Sequence, residues 1–138
     1  VAVLDGGWQR WVELGLDVDA NAPWGEPVRF DAAPDRSRWL DATEVHAGLI
    51  GANLLLDARA PNRFAGIEEP LDSVAGHIPG AVNLPWNGNL GTDGRFLPAD
   101  KLRERFAAVL GGREPSDVVC YGGSGVTAAH NLLAMEIA

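Results

Sequence analysis

A glycine-rich stretch near the end of the sequence is the feature best suited to chemistry. Gly122, Gly123 and Gly125 follow an apolar predicted strand, and the hydroxyl-bearing Ser124 lies among them. Glycine permits backbone conformations that turn successive N–H groups to one side, and the helix predicted to begin at Thr127 adds a partial positive charge at its N-terminus. The stretch therefore predicts an anion-binding loop, although a tight turn without a ligand fits the spacing equally well.

The single cysteine, Cys120, is the second candidate for chemistry. One cysteine forms no internal disulfide, and no cysteine and histidine cluster has the spacing of zinc ligands, so no metal site is predicted. Cys120 falls inside the apolar run Val118–Tyr121, where a thiol usually packs in a core and stays protonated. We expect a buried core residue rather than a working nucleophile.

Alternating strands and helices must position this loop. Apolar runs predict strands at 1–4, 27–30, 52–58, 81–84 and 118–121, and 61–79 is expected to be rich in loops. Helical spacing predicts helices around Trp8 and Trp11, at 40–49, at 98–110 and from Thr127 onward. Asp41 or Thr43 is expected to cap the helix at 40–49 and Gly51 to end it, and the last helix is expected to face the core with Leu132, Leu133 and Met135. This alternation is typical of an α/β fold with a parallel sheet and right-handed crossovers. Ligands of such sheets bind at the carboxyl ends of strands, so the site is expected directly after Tyr121.

Composition and charge exclude several classes of function. The chain has 138 residues, of which 46% are hydrophobic and 22% charged, as in an ordinary soluble domain. A formal charge of −8 with only 11 scattered Lys and Arg residues predicts no nucleic-acid partner. The apolar runs are too short for a membrane span and no signal peptide is recognisable, so we expect a cytoplasmic protein that does not bind membranes.

Four blocks of the sequence carry a family resemblance. They lie at Val3–Trp8, Leu55–Phe64, Glu69–Pro85 and Gly123–Ala128, the last with the sequence Gly-Ser-Gly-Val-Thr-Ala. In this order they resemble the tandem-domain rhodanese family, the thiosulfate and 3-mercaptopyruvate sulfurtransferases. The resemblance implies a rhodanese-like parallel sheet flanked by helices, without a cofactor. It also implies transfer of sulfur from a small donor anion to a cyanide or thiol acceptor through a cysteine persulfide.

The resemblance assigns roles to individual residues. In the family the nucleophilic cysteine stands immediately before Gly-Ser-Gly-Val-Thr, and this position is Gly122 here. The residues implied to surround the bound anion are Gly123, Ser124, Gly125, Val126 and Thr127. Arg63 matches the substrate-binding arginine, whose guanidinium would grip the acid group of the donor. Mercaptopyruvate-type members carry a second arginine where this chain has Leu71, so the identity of the donor stays open.

Other polar residues near the loop are expected to have structural roles. Ser124 and Thr127 are expected to cap the helix that follows. His77 is expected to hold its turn and the next strand together through hydrogen bonds, and Asp57 to fix the loop after its strand. None of these residues is predicted to act as a catalytic base.

The resemblance also implies a domain organisation. Residues 1–20 match the last strand and helix of a first rhodanese domain, 21–37 form a linker, and 38–138 form a second domain that stops before its last strand. A missing interior strand would leave backbone groups unpaired. We expect Val1–Leu4 to fill that position, either within one chain or by exchange between two chains of a dimer.

Three hypotheses about function follow from these patterns. The first is an inactive form of the C-terminal half of a sulfurtransferase, because Gly122 replaces the nucleophile. The second is a non-catalytic rhodanese module that binds a small anion or a protein partner through the intact loop. The third is an active enzyme that uses Cys120, which requires a loop lengthened to begin there.

Overall fold

The structure, a computed structural model, describes residues 2–21, 25–48 and 53–138. Its strands are β1 (Leu54–Asp57), β2 (Val82–Asn83) and β3 (Val118–Tyr121), and its helices are α1 (Gly7–Glu13), α2 (Ala42–Gly48), α3 (Pro61–Phe64), α4 (Ala99–Leu110) and α5 (Val126–Ile137). Short 3₁₀ turns lie at Arg36–Arg38, Trp86–Asn89 and Pro115–Asp117. Among these elements, no helix has both the length and the apolar character needed to cross a membrane.

The three strands form one parallel sheet in the order β2-β1-β3. Strand β1 is central, and all four of its residues are buried, as expected for a strand covered on both faces. In the register, Asp57 pairs with Asn83 on one side and with Tyr121 on the other. The carboxyl ends of all three strands therefore lie at one edge, and the predicted α/β fold is confirmed.

The core lies between the sheet and α4. Leu102 and Phe106, one helical turn apart, are 0% and 3% exposed and pack against Leu54 and Leu56 of β1. Gly111 ends α4 in the left-handed conformation with a φ of 58°. Truncation of a fully buried leucine such as Leu56 to alanine typically costs about 2–5 kcal/mol, so this cluster anchors the strand that leads to the site.

Helix α5 faces the core with a set of residues that differs in part from the predicted one. Its buried residues are Ala128, Asn131 and Ala134, spaced three apart along one face. Leu132, predicted to face inward, is 44% exposed and lines a groove beside β3. The buried face is polar at its centre because the Asn131 amide donates to the Leu84 carbonyl oxygen over 2.9 Å. Met135 packs against the core cluster as predicted and Leu133 is half-buried, so the prediction is wrong for Leu132 and missed the buried Asn131.

The segment that begins the chain does not extend the sheet. The described residues Ala2–Leu4 form no strand and are not paired with β3, so the predicted strand at 1–4 is wrong for these residues. The Gly7 amide donates to the Leu4 carbonyl oxygen, and the Phe96 amide donates to an Asp5 carboxylate oxygen over 2.9 Å. These bonds hold the segment in a turn beside Phe96. Exchange of this segment between two chains stays a prediction.

Four smaller predictions have different outcomes. The strand predicted at 27–30 is wrong. Val28 and Phe30 are 89% and 86% exposed, and no described residue pairs with this segment. Asp41 caps α2 as predicted: its carboxylate accepts from the Glu44 amide over 2.9 Å. The predicted end of this helix at Gly51 lies outside the described residues. Proline at the first position starts the short helix α3 within a stretch predicted as loop.

Candidate anion-binding site

Two loops meet at the carboxyl edge of the sheet. The Ala58 amide donates to the Tyr121 carbonyl oxygen over 2.9 Å, which continues the pairing of β1 with β3 by one residue. The chain then leaves β1 through Arg59 and leaves β3 through Gly122. Because the parallel strands β1 and β3 end side by side, the loops that follow them lie next to each other and line the same site.

The glycine-rich loop ends in a helix start without a side-chain cap. Gly125 is the residue before α5 and adopts the left-handed conformation with a φ of 83°, which glycine tolerates without steric cost. The first bond of the helix runs from the Ala129 amide to the Gly125 carbonyl oxygen. The predicted capping by Ser124 and Thr127 is wrong, because no side chain caps this end. The first-turn amides of α5 therefore have no partner within the helix, as an anion site requires.

Gly122 lies at the mouth of this loop. A Cβ atom built on it would lie 2.5 Å from Thr127 Oγ1, whereas the next nearest atoms are 3.8 Å away. Its φ is not in the left-handed region, so the backbone accepts residues other than glycine. The Thr127 hydroxyl thus occupies the space that a side chain at position 122 would need. Rotation of that one short side chain would clear it.

Cys120 lies within β3. It pairs in register with Leu56, packs against the core cluster and is half-buried. Burial raises the pKa of its thiol to about 11, so the neutral form dominates near neutral pH. It lines a groove beside β3 together with Trp39 and the loop residue Gly125, and it does not line the two clefts that contain Gly123.

A buried ion pair between Asp57 and Arg59 fixes the loop that follows β1. Asp57 is fully buried, and its carboxylate accepts hydrogen bonds from the Arg59 backbone amide, Nε and Nη2 at 2.7–3.1 Å. Burial would raise the pKa of the Asp57 carboxyl, but these bonds outweigh it and the pKa is lowered. Arg59 Nη2 also donates to the Gly76 carbonyl oxygen over 2.7 Å. Asp57 fixes the loop as predicted, whereas sequence reasoning missed Arg59.

Arg63 is held between two carboxylates. Its Nη2 donates to Glu69 Oε1 over 2.6 Å and to Asp72 Oδ2 over 2.9 Å, and its Nε donates to Glu69 Oε2 over 3.2 Å. The hydrogen bond from Arg63 lowers the pKa of the Glu69 carboxyl to about 2. The remaining nitrogen, Nη1, lies 3.7 Å from a Cβ built on Gly123 and donates to no described residue. One arm of the guanidinium thus faces the loop.

The turn at His77 closes the site on its other side. His77 Nδ1 lies 2.7 Å from the Phe64 carbonyl oxygen, and its ring stacks on the Phe64 ring with the centroids 3.7 Å apart. The next residue, Ile78, donates its amide to the Tyr121 hydroxyl over 3.2 Å. Burial raises the pKa of the Tyr121 hydroxyl to about 12, so it stays protonated. His77 has the structural contacts that were predicted, but they reach α3 rather than the next strand.

Two clefts open at the loop. One, of about 330 Å³, is lined by Arg59, by the turn around His77, and by Gly122 and Gly123. The other, of about 420 Å³, is lined by Arg59, Ala60, Arg63, Leu71, Asp72, Trp86, Gly123, Ser124 and Thr127. The second cleft thus brings Arg63 together with Gly123, Ser124 and Thr127, whereas the predicted loop residues Gly125 and Val126 line neither cleft. Asp72 lines both clefts and was not predicted, because its approach depends on the turn that follows Glu69. Within the described ranges, no group of three or more His, Cys, Asp and Glu side chains could hold a metal ion.

Comparison with known proteins identifies the family of this arrangement. A family model described as Rhodanese-like domain matches residues 41–137. The chain is 48% identical over 139 residues to a probable 3-mercaptopyruvate sulfurtransferase of Pseudomonas aeruginosa, covering 100% of this chain and 49% of that protein. It is 37% identical over 143 residues to the putative thiosulfate sulfurtransferase SseB of Mycobacterium tuberculosis, covering 99% and 49%.

A solved structure agrees with these sequence matches. The 3-mercaptopyruvate sulfotransferase SseA of Escherichia coli superposes with a TM-score of 0.81 and 31% identity, over 99% of this chain and 51% of that one. The chain therefore spans about half the length of these relatives. The relatives carry names of sulfur-transfer enzymes.

Proposed function

The chain belongs to the rhodanese-like domain family, and from that premise we propose that it binds a small sulfur-donor anion at its glycine-rich loop without itself forming a persulfide. The residues proposed to hold the anion are Arg63, through Nη1, and the loop Gly123–Thr127. The thiol that would take up the sulfur is missing, because its position is Gly122. The chain thus has the fold of a sulfurtransferase domain, and its proposed function is to bind an anion.

The observation that carries the proposal is the position of the thiol. Neither of the two clefts that contain Gly123 is lined by a sulfur atom of the described residues, because Cys120 lies in β3 and lines a separate groove. A nucleophile must be a thiolate, and burial keeps the Cys120 thiol protonated. The third hypothesis, an active enzyme that uses Cys120, has no support in this geometry.

The test is to return a thiol to the loop with Gly122→Cys. The helix N-terminus and loop amides favour a thiolate there. That thiolate would attack the outer sulfur of thiosulfate, a new S–S bond would form on the cysteine, the S–S bond of thiosulfate would break, and sulfite would leave. Cyanide would then remove the terminal sulfur as thiocyanate. We expect intact-mass analysis to show a gain of one sulfur atom after incubation with thiosulfate or 3-mercaptopyruvate.

Matched variants make the result specific. Gly122→Ser adds a side chain of similar size without sulfur and is expected to gain no mass. Gly122→Cys with Cys120→Ser is expected to keep the full gain. If the folded Gly122→Cys protein takes up no sulfur from either donor, the proposal that the remaining site is intact is wrong. A gain in mass that disappears when Cys120 is replaced would show that Cys120 takes up the sulfur, and this result would also contradict the proposal.

A further inference from the structure

The charges of the site do not match a donor that carries only negative charge. Two guanidinium groups, Arg59 and Arg63, face three carboxylates, Asp57, Glu69 and Asp72. Arg59 pairs with the buried Asp57 and with Glu69, and Arg63 pairs with Glu69 and Asp72 through Nε and Nη2 and keeps only Nη1 without a described acceptor. An added dianion would therefore approach a site in which negative side chains already outnumber positive ones, and like charges at short distance repel.

Asp72 is the carboxylate best placed to meet a ligand. Its side chain is 52% exposed, whereas that of Glu69 is 5% exposed. Asp72 Oδ2 accepts from Arg63, and its other oxygen, Oδ1, accepts from no described residue. The turn that carries it is fixed, because the amides of Leu71 and Asp72 both donate to Glu69 Oε1 at 3.1 and 3.0 Å. A rigid backbone thus presents a half-exposed carboxylate to the cleft.

The same cleft is also lined by groups of the complementary character. Gly123, Ser124 and Thr127 bring backbone amides, two hydroxyls and the N-terminus of α5. A molecule in this cleft would therefore meet both hydrogen-bond donors and an acidic acceptor. Leu71 and Trp86 add apolar surface to the cleft.

From this polarity we infer that Asp72 is a specificity residue, which selects donors that carry an ammonium group beside their acid group. The substrate class is a sulfur-bearing α-amino acid: its acid or sulfur end would bind at the loop and Arg63, and its ammonium group would pair with Asp72 Oδ1. The inference rests on the proposed function, because it assumes that the anionic end binds at the loop.

The test uses two unreactive sulfonates that differ only in the ammonium group. L-cysteate has it and 3-sulfopropanoate lacks it, and binding of each to the full chain is measured by calorimetry near pH 7. We expect cysteate to bind about fivefold more tightly, which corresponds to about 1 kcal/mol, the size of an exposed charge pair. Equal binding, or tighter binding of 3-sulfopropanoate, would overturn the inference without any substitution.

Variants then locate the effect. Asp72→Asn keeps an acceptor for Arg63 but removes the charge, so it is expected to abolish the preference and to strengthen binding of 3-sulfopropanoate. Asp93→Asn is the matched control, since Asp93 also pairs with an arginine over 2.7 Å but lines neither cleft, and its preference is expected to stay fivefold. An unchanged preference in Asp72→Asn would contradict the role of Asp72.

Thiosulfate separates this inference from the proposal beneath it. If thiosulfate binds to the chain and the ammonium group makes no difference, only the inference fails. If neither sulfonate nor thiosulfate binds, the anion-binding loop itself is wrong and both fail.

Discussion

Arg59 and Arg63 are four residues apart, yet they belong to opposite kinds of environment. The Arg59 side chain is 8% exposed and is bound by a fully buried carboxylate and a backbone carbonyl. The Arg63 side chain is 17% exposed and is bound by one nearly buried and one half-exposed carboxylate, with Nη1 toward the loop. Arg59 is therefore enclosed by protein groups, whereas Arg63 is the arginine that we propose to bind a ligand.

Cys120 and Gly122 differ in the same way, the first inside β3 and the second directly after it. Cys120 is packed in register with the fully buried Leu56. Gly122 lies on the open side, where it lines a cleft with Gly123. The molecule thus keeps its one thiol among the groups that hold the fold and leaves the ligand side without sulfur.

The largest effect is expected from loss of Arg59. Arg59→Met leaves Asp57 buried without its guanidinium partner, and a buried charge without a counter-charge is costly. We expect the free energy of unfolding, measured with urea, to fall by about 3 kcal/mol, the low end of the usual range because a cleft admits water beside Arg59. Arg63→Met is the control and should lose about 1 kcal/mol. Equal losses would erase the contrast between the two arginines.

Binding should show the reverse order. Arg63→Met removes a charge-assisted hydrogen bond to the ligand, and such bonds contribute about 1.5–3 kcal/mol. We expect calorimetry to show that affinity for 3-mercaptopyruvate or thiosulfate falls about tenfold or more. Arg63→Lys keeps the charge but not the fork of donors and should recover only part of the affinity. Undiminished binding by Arg63→Met would place the anion elsewhere.

The smallest expected effect is a dependence of stability on pH at Glu69. Because its folded-state pKa is about 2 and its ordinary value is 4.5, the carboxylate stabilises the fold fully above about pH 4.5. That contribution is lost as the pH falls from 4.5 toward 2, since the unfolded chain takes up the proton first. The difference in Tm between the unaltered protein and Glu69→Gln should therefore shrink across this window. A constant difference would show that Glu69 is not held ionised by Arg63.

Much of the framework could be predicted from local patterns. Consecutive leucines at 54–56 predict a buried strand, glycines after an apolar run predict a turn between a strand and a helix, and both elements are present in the fold. The site positions Gly122 and Arg63 came from resemblance to the family. Their roles stay predictions.

What sequence reasoning missed depends on contacts between distant residues. Arg59 acts through the Gly76 carbonyl, 17 residues away, and Asp72 reaches Arg63 through a turn fixed by Glu69. The buried Asn131 of α5 was missed because its partner is the Leu84 carbonyl oxygen, which hydrophobic periodicity does not reveal. A local sequence pattern does not reveal polar groups whose hydrogen-bond partners lie in another element.

The central claim, that the one thiol lies apart from the anion site, is tested most directly on the unaltered protein. The chain is incubated with thiosulfate and with 3-mercaptopyruvate, separated from the donor without reducing agent, and its intact mass is measured. We predict no gain from either donor, because the Cys120 thiol is packed within β3 and its pKa is raised to about 11. A gain of one sulfur atom that disappears in Cys120→Ser would show that this thiol reaches the donor and would contradict the account.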